Sequence, residues 1–317
     1  MIIPVEPGGS VQPVLDRLFQ LKYPPDQVEI IVAEGRLPSH QRNRAIERAT
    51  GEIVYFLDSD SLAAPSLFEE TLLHYQDDRV AVVGGPNVSP ESDSLMQKTF
   101  DTVQTSLFGS YTVRARYQPI GVLRETTEKE IILCNMSFRK SVFEQLKGFD
   151  TRLYPNEENE LMNRVRAEGY RLLYQPSAIV YRSRRDTFSA FIKQNYTYGR
   201  GRMEQMLVGF FPSDLVHLVP AGFVLYLLGQ VWITAPWYDV PIWTYVACCL
   251  GFAMADGLRV KRPWLIPFLP WLYMTRHVAY GVGLWGGFFR KIRGVEKPPA
   301  EEPTLRWVKR FGEPWPT

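Results

Sequence analysis

The sequence feature that most constrains the fold is the run from Gly51 to Asp60, which reads Gly-Glu-Ile-Val-Tyr-Phe-Leu-Asp-Ser-Asp. Its five apolar residues, 53–57, lead directly into two aspartates, Asp58 and Asp60. A short apolar run bounded by turn residues predicts a strand that is buried on both faces, as in the centre of a parallel sheet. Open α/β sheets bind ligands at the carboxyl ends of their strands, so we expect both carboxylates to face a crevice.

Two carboxylates at a strand end form a candidate metal site. Mg²⁺ and Mn²⁺ prefer carboxylate oxygens, and Mg²⁺ is commonly held by one or two carboxylates together with substrate phosphates. The alternative interpretation of Asp-Ser-Asp is a polar strand end followed by a turn, because short acidic turns are common. This segment alone leaves both interpretations open.

The flanking sequence predicts an α/β fold with a mostly parallel sheet and flanking helices. Apolar runs predict strands over 2–5 and 28–33, and helical spacing predicts helices over 11–21 and 40–50. Three βα units in the first 60 residues favour right-handed crossovers between parallel strands. Similar patterns predict later strands over 80–83 and 172–180 and later helices over 65–75 and 93–109.

Composition divides the chain into two parts. Between Pro212 and Phe289 the only acidic residues are Asp214, Asp239 and Asp256, while Trp, Leu, Tyr and Gly accumulate. The net charge of +2 is too small to indicate a nucleic-acid partner. The three cysteines, Cys134, Cys248 and Cys249, have neither metal-ligand spacing nor a disulfide pattern, which favours a reducing compartment.

The later part predicts membrane segments. Segments 215–235 and 242–258 are long and apolar enough to span a bilayer, and the basic loop 259–262 indicates a hairpin with cytoplasmic ends. Segment 264–289 contains two prolines and Arg276 near its middle, so we predict a re-entrant or interfacial helix pair. In the tail, Trp307 and Trp315 are predicted interface anchors.

Four segments resemble the inverting glycosyltransferase family 2, which has a GT-A fold. They are 28–35, 41–52, 56–60 and 156–170, the last reading Asn-Glu-Glu-Asn-Glu-Leu-Met-Asn-Arg-Val-Arg-Ala-Glu-Gly-Tyr. Together with Tyr-Gly-Arg-Gly-Arg at 198–202 and the Trp-rich segments, they resemble bacterial exopolysaccharide transferases of the succinoglycan type. The resemblance implies a nucleotide-diphosphate sugar donor, with UDP favoured and GDP second, and Mg²⁺ or Mn²⁺ as cofactor.

The resemblance also assigns roles to site residues. By position Asp60 is the direct metal ligand, and Asp58 binds metal or faces the donor ribose. Inverting transfer needs a base for the acceptor hydroxyl, and Glu158 occupies that position. The alternative is that the acidic residues at 157, 158 and 160 complement a helix dipole. The predicted donor contacts are Pro4, Glu6, Glu34, Arg42, Asn43, Asp58, Asn135, Glu157, Arg200 and Arg202.

Two of these contacts have equally simple structural explanations. Asn135 is either a contact to the donor sugar or a strand-end amide that is bonded to the backbone. Arg200 and Arg202 bind the donor diphosphate or a lipid phosphate, or they are favourable cations at a helix C-terminus.

We therefore predict a catalytic domain over 1–187, an interfacial helix region over 188–212, a membrane domain over 213–293 and a cytoplasmic tail over 294–317. The predicted enzyme lies in the inner (plasma) membrane as a multi-pass protein with its catalytic domain in the cytoplasm. Its partners are the sugar donor, a lipid-linked acceptor and membrane lipids. The alternatives are a polyprenyl-phosphate sugar transferase and a catalytically inactive binding partner with the same fold.

Overall fold

The computed structural model describes residues 1–210, 212–294 and 301–316, without the side chains of 212 and 213. The chain forms two compact units. The first unit comprises Met1–Pro90, Ala115–Ser183 and Lys297–Thr317, and the second comprises Glu91–Arg114 and Arg184–Glu296.

The first unit contains the strands and the shorter helices. Its strands are β1 (Ile2–Val5), β2 (Ile30–Glu34), β3 (Ile53–Phe56), β4 (Leu62–Ala63), β5 (Val80–Gly84), β6 (Asn87–Val88), β7 (Arg124–Glu125), β8 (Met136–Arg139), β9 (Arg171–Tyr174), β10 (Val180–Tyr181) and β11 (Thr304–Lys309). Its helices are α1 (Gln12–Leu18), α2 (Pro38–Arg48), α3 (Leu67–Leu72), α6 (Lys140–Gln145) and α7 (Glu157–Ala167). The second unit contains α4 (Leu95–Gln104), α5 (Leu107–Ser110), α8 (Phe188–Met206), α9 (Val219–Gly229), α10 (Val240–Arg259) and α11 (Leu269–Ile292).

The strands form an eight-stranded sheet in the order β11-β2-β1-β3-β8-β5-β9-β7 and a small sheet in the order β4-β10-β6. Strands β2, β1 and β3 are parallel, as predicted, but β8 lies antiparallel between β3 and β5. The predicted α/β fold is confirmed, and the large sheet is mixed, because β11, β8 and β7 run opposite to the other five strands. The predicted strand over 172–180 is also two strands in different sheets, because Pro176 lies between them and has no N–H to donate.

Strand β3 confirms the prediction of burial on both faces. Val54 and Phe56 belong to one hydrophobic cluster, which includes residues of α2, α6 and α7. Tyr55 and Leu57 belong to another, which includes residues of α1 and α3. Because successive side chains of a strand point to opposite faces, the alternation places helices on both sides of the sheet.

The two tail tryptophans that were predicted as interface anchors make contacts within the first unit. Strand β11 pairs antiparallel with β2 at the edge of the large sheet. The indole Nε1 of Trp307 donates to Glu29 Oε1 at 3.1 Å, and the ring of Trp315 lies 5.6 Å from that of Phe19. Both tryptophans are thus part of the first unit.

The second unit is helical, and its long helices differ from the predicted spans. Segment Pro236–Arg259 is 24 residues long and, among the described residues, is the one helix long and apolar enough to cross a membrane. The first predicted span, 215–235, is helical only up to Gly229, in the short apolar helix Asp214–Gly229 that includes α9. Segment 264–289 is not a helix pair, because a single helix of 24 residues, α11, covers most of it. The structure thus supports one candidate span and does not support a multi-pass arrangement.

Glycines allow α8 and α11 to approach each other closely within the second unit. A Cβ atom added at Gly199 would lie 2.0 Å from the carbonyl oxygen of Tyr280, and one at Gly283 would lie 2.1 Å from that of Tyr196. Gly199 belongs to the Tyr-Gly-Arg-Gly-Arg motif, so this glycine serves helix packing.

We expect Gly199→Ala to destabilise the protein, because the methyl group would overlap a backbone carbonyl and force the helices apart. Overpacking of this kind typically costs about 1–3 kcal/mol, and for a protein of this size it should lower the unfolding midpoint by about 2–5 °C. Gly222→Ala in α9 is the matched control, because its new Cβ has no neighbour within 4 Å. Thermal unfolding of the full chain in detergent measures both. Equal midpoints for the two variants would contradict the packing role of Gly199.

Candidate active site

Five charged side chains of the first unit form a continuous series at the carboxyl ends of the strands, hereafter the ionic chain. Arg42 Nη1 lies 3.4 Å from Glu157 Oε1, and Arg42 Nη2 lies 2.6 Å from Asp58 Oδ1. Arg182 Nη1 lies 2.9 Å from Asp58 Oδ2, and Arg182 Nε lies 2.9 Å from Asp60 Oδ1. Acidic and basic side chains therefore alternate from the start of α7 to the turn after β3.

Local structure explains why Asp58 and Asp60 sit together. The N–H of Leu57 donates to the carbonyl of Ile2 at 3.2 Å, which continues the pairing of β3 with β1. The N–H of Ser61 then donates to the carbonyl of Asp58 at 3.0 Å and closes a turn. The backbone therefore turns here, as the alternative interpretation predicts, while the two carboxylates converge on one guanidinium, and metal binding by the pair stays a prediction.

Burial and neighbouring charges shift the pKa values of two carboxyl groups in the ionic chain, Asp58 and Glu157. Burial opposes the charge of Asp58, but the guanidiniums of Arg182 and Arg42 outweigh it and hold the Asp58 pKa below its ordinary value. Glu157 behaves in the opposite way. Burial, followed by the charge of Glu158, raises the Glu157 pKa to about 8, and Arg42 offsets this only in part. Near neutral pH Asp58 is therefore a carboxylate, whereas Glu157 holds a proton.

The acidic residues at the start of α7 have different partners. Glu158 Oε1 lies 3.8 Å from Arg116 Nη1, and Glu160 Oε1 lies 2.6 Å from Arg164 Nε. Arg116 is itself fixed, because its Nη2 donates to Asn159 Oδ1 at 2.6 Å. Each carboxylate thus has a specific arginine, in addition to any effect of the helix dipole.

The predicted contacts on the first two strands lie at adjacent strand ends. Pro4 of β1 lies opposite Ala33 of β2, and Glu34 is the next residue along β2. Glu34 Oε1 accepts the N–H of Gly8 at 3.3 Å, and Glu6 is exposed in the same loop. Their role in donor binding stays a prediction.

Sequence reasoning missed Gln41, which joins these strand ends. Its buried amide Nε2 donates to the carbonyl of Val5 at 2.9 Å and to that of Ala33 at 2.5 Å. The signal was present, because Gln41 begins the Gln-Arg-Asn segment that carries the family resemblance.

Asn43 and Asn135 bond to protein groups. Asn43 donates to the carbonyl of Phe149 at 2.8 Å and accepts its N–H at 3.0 Å. Asn135 donates to the carbonyls of Pro86 and Ala178 and accepts the hydroxyl of Tyr55 at 2.6 Å. For Asn135 this geometry favours the backbone-bonded alternative over a sugar contact.

Arg200 and Arg202 lie in the second unit, where each has an acidic neighbour. Arg200 Nε lies 3.7 Å from Glu204 Oε1. The buried Arg202 places Nη1 3.1 Å from Gln205 Oε1 and 4.0 Å from Asp214 Oδ1. Their predicted contact with a phosphate group stays a prediction.

The acidic pair suits a divalent cation in part. Asp58 and Asp60 direct carboxylate oxygens, the ligands that Mg²⁺ and Mn²⁺ prefer, toward one positive group. Within the described part of the chain, no group of three or more His, Cys, Asp and Glu side chains is arranged to hold a metal. The protein therefore offers two ligands, and phosphate oxygens and water would have to complete the shell.

The sequence is similar to one protein family and to several named proteins. The sequence profile of glycosyl transferase family group 2 matches residues 53–256. The succinoglycan biosynthesis protein ExoA of Rhizobium meliloti (strain 1021) is 26% identical over 194 residues, which are 61% of this chain and 56% of that protein. The poly-beta-1,6-N-acetyl-D-glucosamine synthase of Staphylococcus aureus (strain COL) is 24% identical over 231 residues, 71% of this chain and 53% of the synthase. The chain thus spans about half the length of these curated relatives.

A solved structure shows the same fold. The mannosyltransferase PcManGT from Pyrobaculum calidifontis, in complex with GDP-Man and Mn²⁺, superposes with a TM-score of 0.59 at 16% identity. The match covers 92% of this chain and 86% of the mannosyltransferase. It confirms the GT-A fold predicted from the family resemblance. With more than half of its residues matched by the family profile, the chain belongs to glycosyl transferase family group 2.

Proposed function

We propose that the chain is an inverting glycosyltransferase that moves a sugar from a nucleoside-diphosphate donor to a lipid-linked saccharide. The observation that carries this proposal is the ionic chain, which links the Asp58–Asp60 pair at one strand end to the acidic start of α7. Polysaccharide or glycolipid synthesis is the proposed context, because the relatives are named for succinoglycan and for a poly-N-acetylglucosamine.

The donor diphosphate lies beside Asp58 and Asp60 in this proposal. A bound Mg²⁺ or Mn²⁺, held by these two carboxylates, would neutralise the charge that develops on the leaving diphosphate. Arg42 keeps Asp58 ionised and oriented, since its guanidinium lies 2.6 Å from Asp58 Oδ1. A UDP-sugar is the first candidate donor, and a GDP-sugar is the second because the mannosyltransferase with this fold was solved with GDP-Man.

Glu158 is the proposed base. It takes the proton of an acceptor hydroxyl while the hydroxyl oxygen attacks the anomeric carbon and the nucleoside diphosphate leaves from the opposite face, so the configuration inverts. Its neighbour Glu157 is protonated near neutral pH, which removes a negative charge that would otherwise repel the Glu158 carboxylate. Arg116, 3.8 Å away, orients the base.

A lipid-linked acceptor fits the surface of the second unit. Five of its tryptophans are between 57% and 83% exposed. Such exposure is unusual on the surface of a soluble protein and typical of side chains at a bilayer interface. They are Trp232, Trp237, Trp243, Trp264 and Trp271. Together with the long apolar helix Pro236–Arg259, they support a place at the inner membrane.

Glu158→Gln should lower the transfer rate by about 10²–10⁴-fold, because glutamine has similar shape but cannot accept the acceptor's proton. Binding of the nucleoside diphosphate should be unchanged. The test is transfer by the purified full chain, with Mg²⁺ or Mn²⁺, from a panel of UDP- and GDP-sugars to membrane lipid extracts or to polyprenyl phosphate.

Glu160→Gln is the matched control, because it removes a carboxylate from the same helix turn whose partner is Arg164. It should keep most of the wild-type rate. Equal losses in the two variants would remove Glu158 from its proposed role. Transfer to polyprenyl phosphate alone would favour the polyprenyl-phosphate sugar transferase, and a wild-type chain that neither binds nor uses any donor would favour an inactive binding partner.

The elevated pKa of Glu157 predicts how stability depends on pH. Since Glu157 keeps its proton in the folded state up to about pH 8 and loses it near pH 4.5 when unfolded, its contribution to stability falls as pH rises between these values. Glu157→Gln mimics the protonated form. The unfolding midpoint of this variant should therefore rise relative to that of the wild type as pH increases from 5 to 8. A constant difference across this range would contradict the assignment.

A further inference from the structure

Arg182 occupies the position between Asp58 and Asp60 where a bound cation would lie. Its Nη1 and Nε each lie 2.9 Å from one carboxylate oxygen, Oδ2 of Asp58 and Oδ1 of Asp60. The other oxygen of Asp58, Oδ1, faces Arg42 at 2.6 Å. The guanidinium of Arg182 therefore forms the same bridge between the two carboxylates that a divalent cation would form.

The backbone holds Arg182 beside the acidic turn. Residue Tyr181 of β10 pairs antiparallel with Leu62 of β4, the strand that follows Asp60. The N–H of Arg182 donates to the carbonyl of Val88 at 2.9 Å. Because the pairing register fixes the position of its Cα atom, the arginine is placed at the acidic pair by the fold and not by its side-chain rotamer alone.

A metal ion and this guanidinium compete for the same oxygens. Mg²⁺ is bound at about 2.0–2.1 Å from its ligands, so an ion that bridges Asp58 and Asp60 would lie within a few ångströms of a second full positive charge. Two such charges repel each other strongly in a partly buried site. Either the cation binds weakly, or the guanidinium leaves.

We propose that Arg182 is an internal cation that competes with Mg²⁺ or Mn²⁺ for the Asp58–Asp60 pair and keeps the metal affinity of the donor-free protein low. The metal then binds together with the donor, whose phosphate oxygens supply the ligands that the protein lacks. This inference rests on the proposed function for the identity of the donor, but the competition itself concerns only the protein and the metal.

The test measures Mn²⁺ binding to the full chain without nucleotide, by the electron paramagnetic resonance signal of free Mn²⁺. Arg182→Gln should increase the Mn²⁺ affinity at least about tenfold, because one positive charge beside the site is removed. The control Arg152→Gln removes an arginine that is paired with Asp150 and should leave the affinity unchanged. Adding Asp60→Asn to Arg182→Gln should abolish the gain.

Equal Mn²⁺ affinities for the wild type and Arg182→Gln would overturn the proposal. If that variant does not fold, the wild-type chain provides a second test. UDP or GDP should raise its Mn²⁺ affinity, and Mn²⁺ should raise its nucleotide affinity by the same factor. Tight nucleotide-independent Mn²⁺ binding by the wild type would contradict the competition. If Arg182→Gln binds Mn²⁺ more tightly but the wild type transfers sugar from no donor, this inference stands and the proposed function is refuted.

Discussion

The site depends on the buried guanidinium of Arg42, which lies between Asp58 and Glu157. Arg42 is only 3% exposed, so its charge is stable only with partners that offset the loss of hydration. Its two partners come from segments that are 16 and 115 residues away along the chain. The Arg42 guanidinium therefore ties α2, the end of β3 and the start of α7 together, and its loss would leave the Asp58 carboxylate and the Glu157 carboxyl group without their common partner.

The same guanidinium explains why two carboxyl groups of one site differ in charge. Asp58 faces two arginines and stays ionised, whereas the more deeply buried Glu157 shares Arg42 at the longer distance of 3.4 Å and is next to Glu158. The surroundings of the two groups thus separate an ionised carboxylate, Asp58, from a protonated acid, Glu157. A site with one proton among its closely spaced carboxyl groups is suited to chemistry in which a neighbouring carboxylate accepts a proton.

Local sequence patterns predicted some elements well because the physical cause is local. The apolar run 53–57 predicted a strand buried on both faces, and the aspartates after it predicted a turn, since hydrophobicity and turn chemistry act over a few residues. Arg182 and Gln41 were missed because their roles depend on the pairing of β10 with β4 and of β1 with β2. Strand β11 was missed for the same reason, as it pairs with a strand about 270 residues earlier.

Predictions made from length and composition differ from the structure in two segments of the second unit. The apolar segment 215–235 has the length of a span, yet α9 ends at Gly229, where an added Cβ would meet the hydroxyl of Tyr238 at 2.2 Å. The Tyr-Gly-Arg-Gly-Arg motif looked like a phosphate-binding segment, but Gly199 serves helix packing and each arginine has an acidic neighbour in its own unit. In both cases the structure gives the segment contacts that its composition does not reveal.

The central claim is that the ionic chain at the strand ends receives the diphosphate of a nucleotide sugar. An experimental structure of the full chain with UDP or GDP and Mn²⁺ tests it most directly. We expect density for the diphosphate and the metal against Asp58 and Asp60, with the guanidinium of Arg182 displaced from between them. A nucleotide bound elsewhere, with Arg182 still bridging both carboxylates, would contradict it.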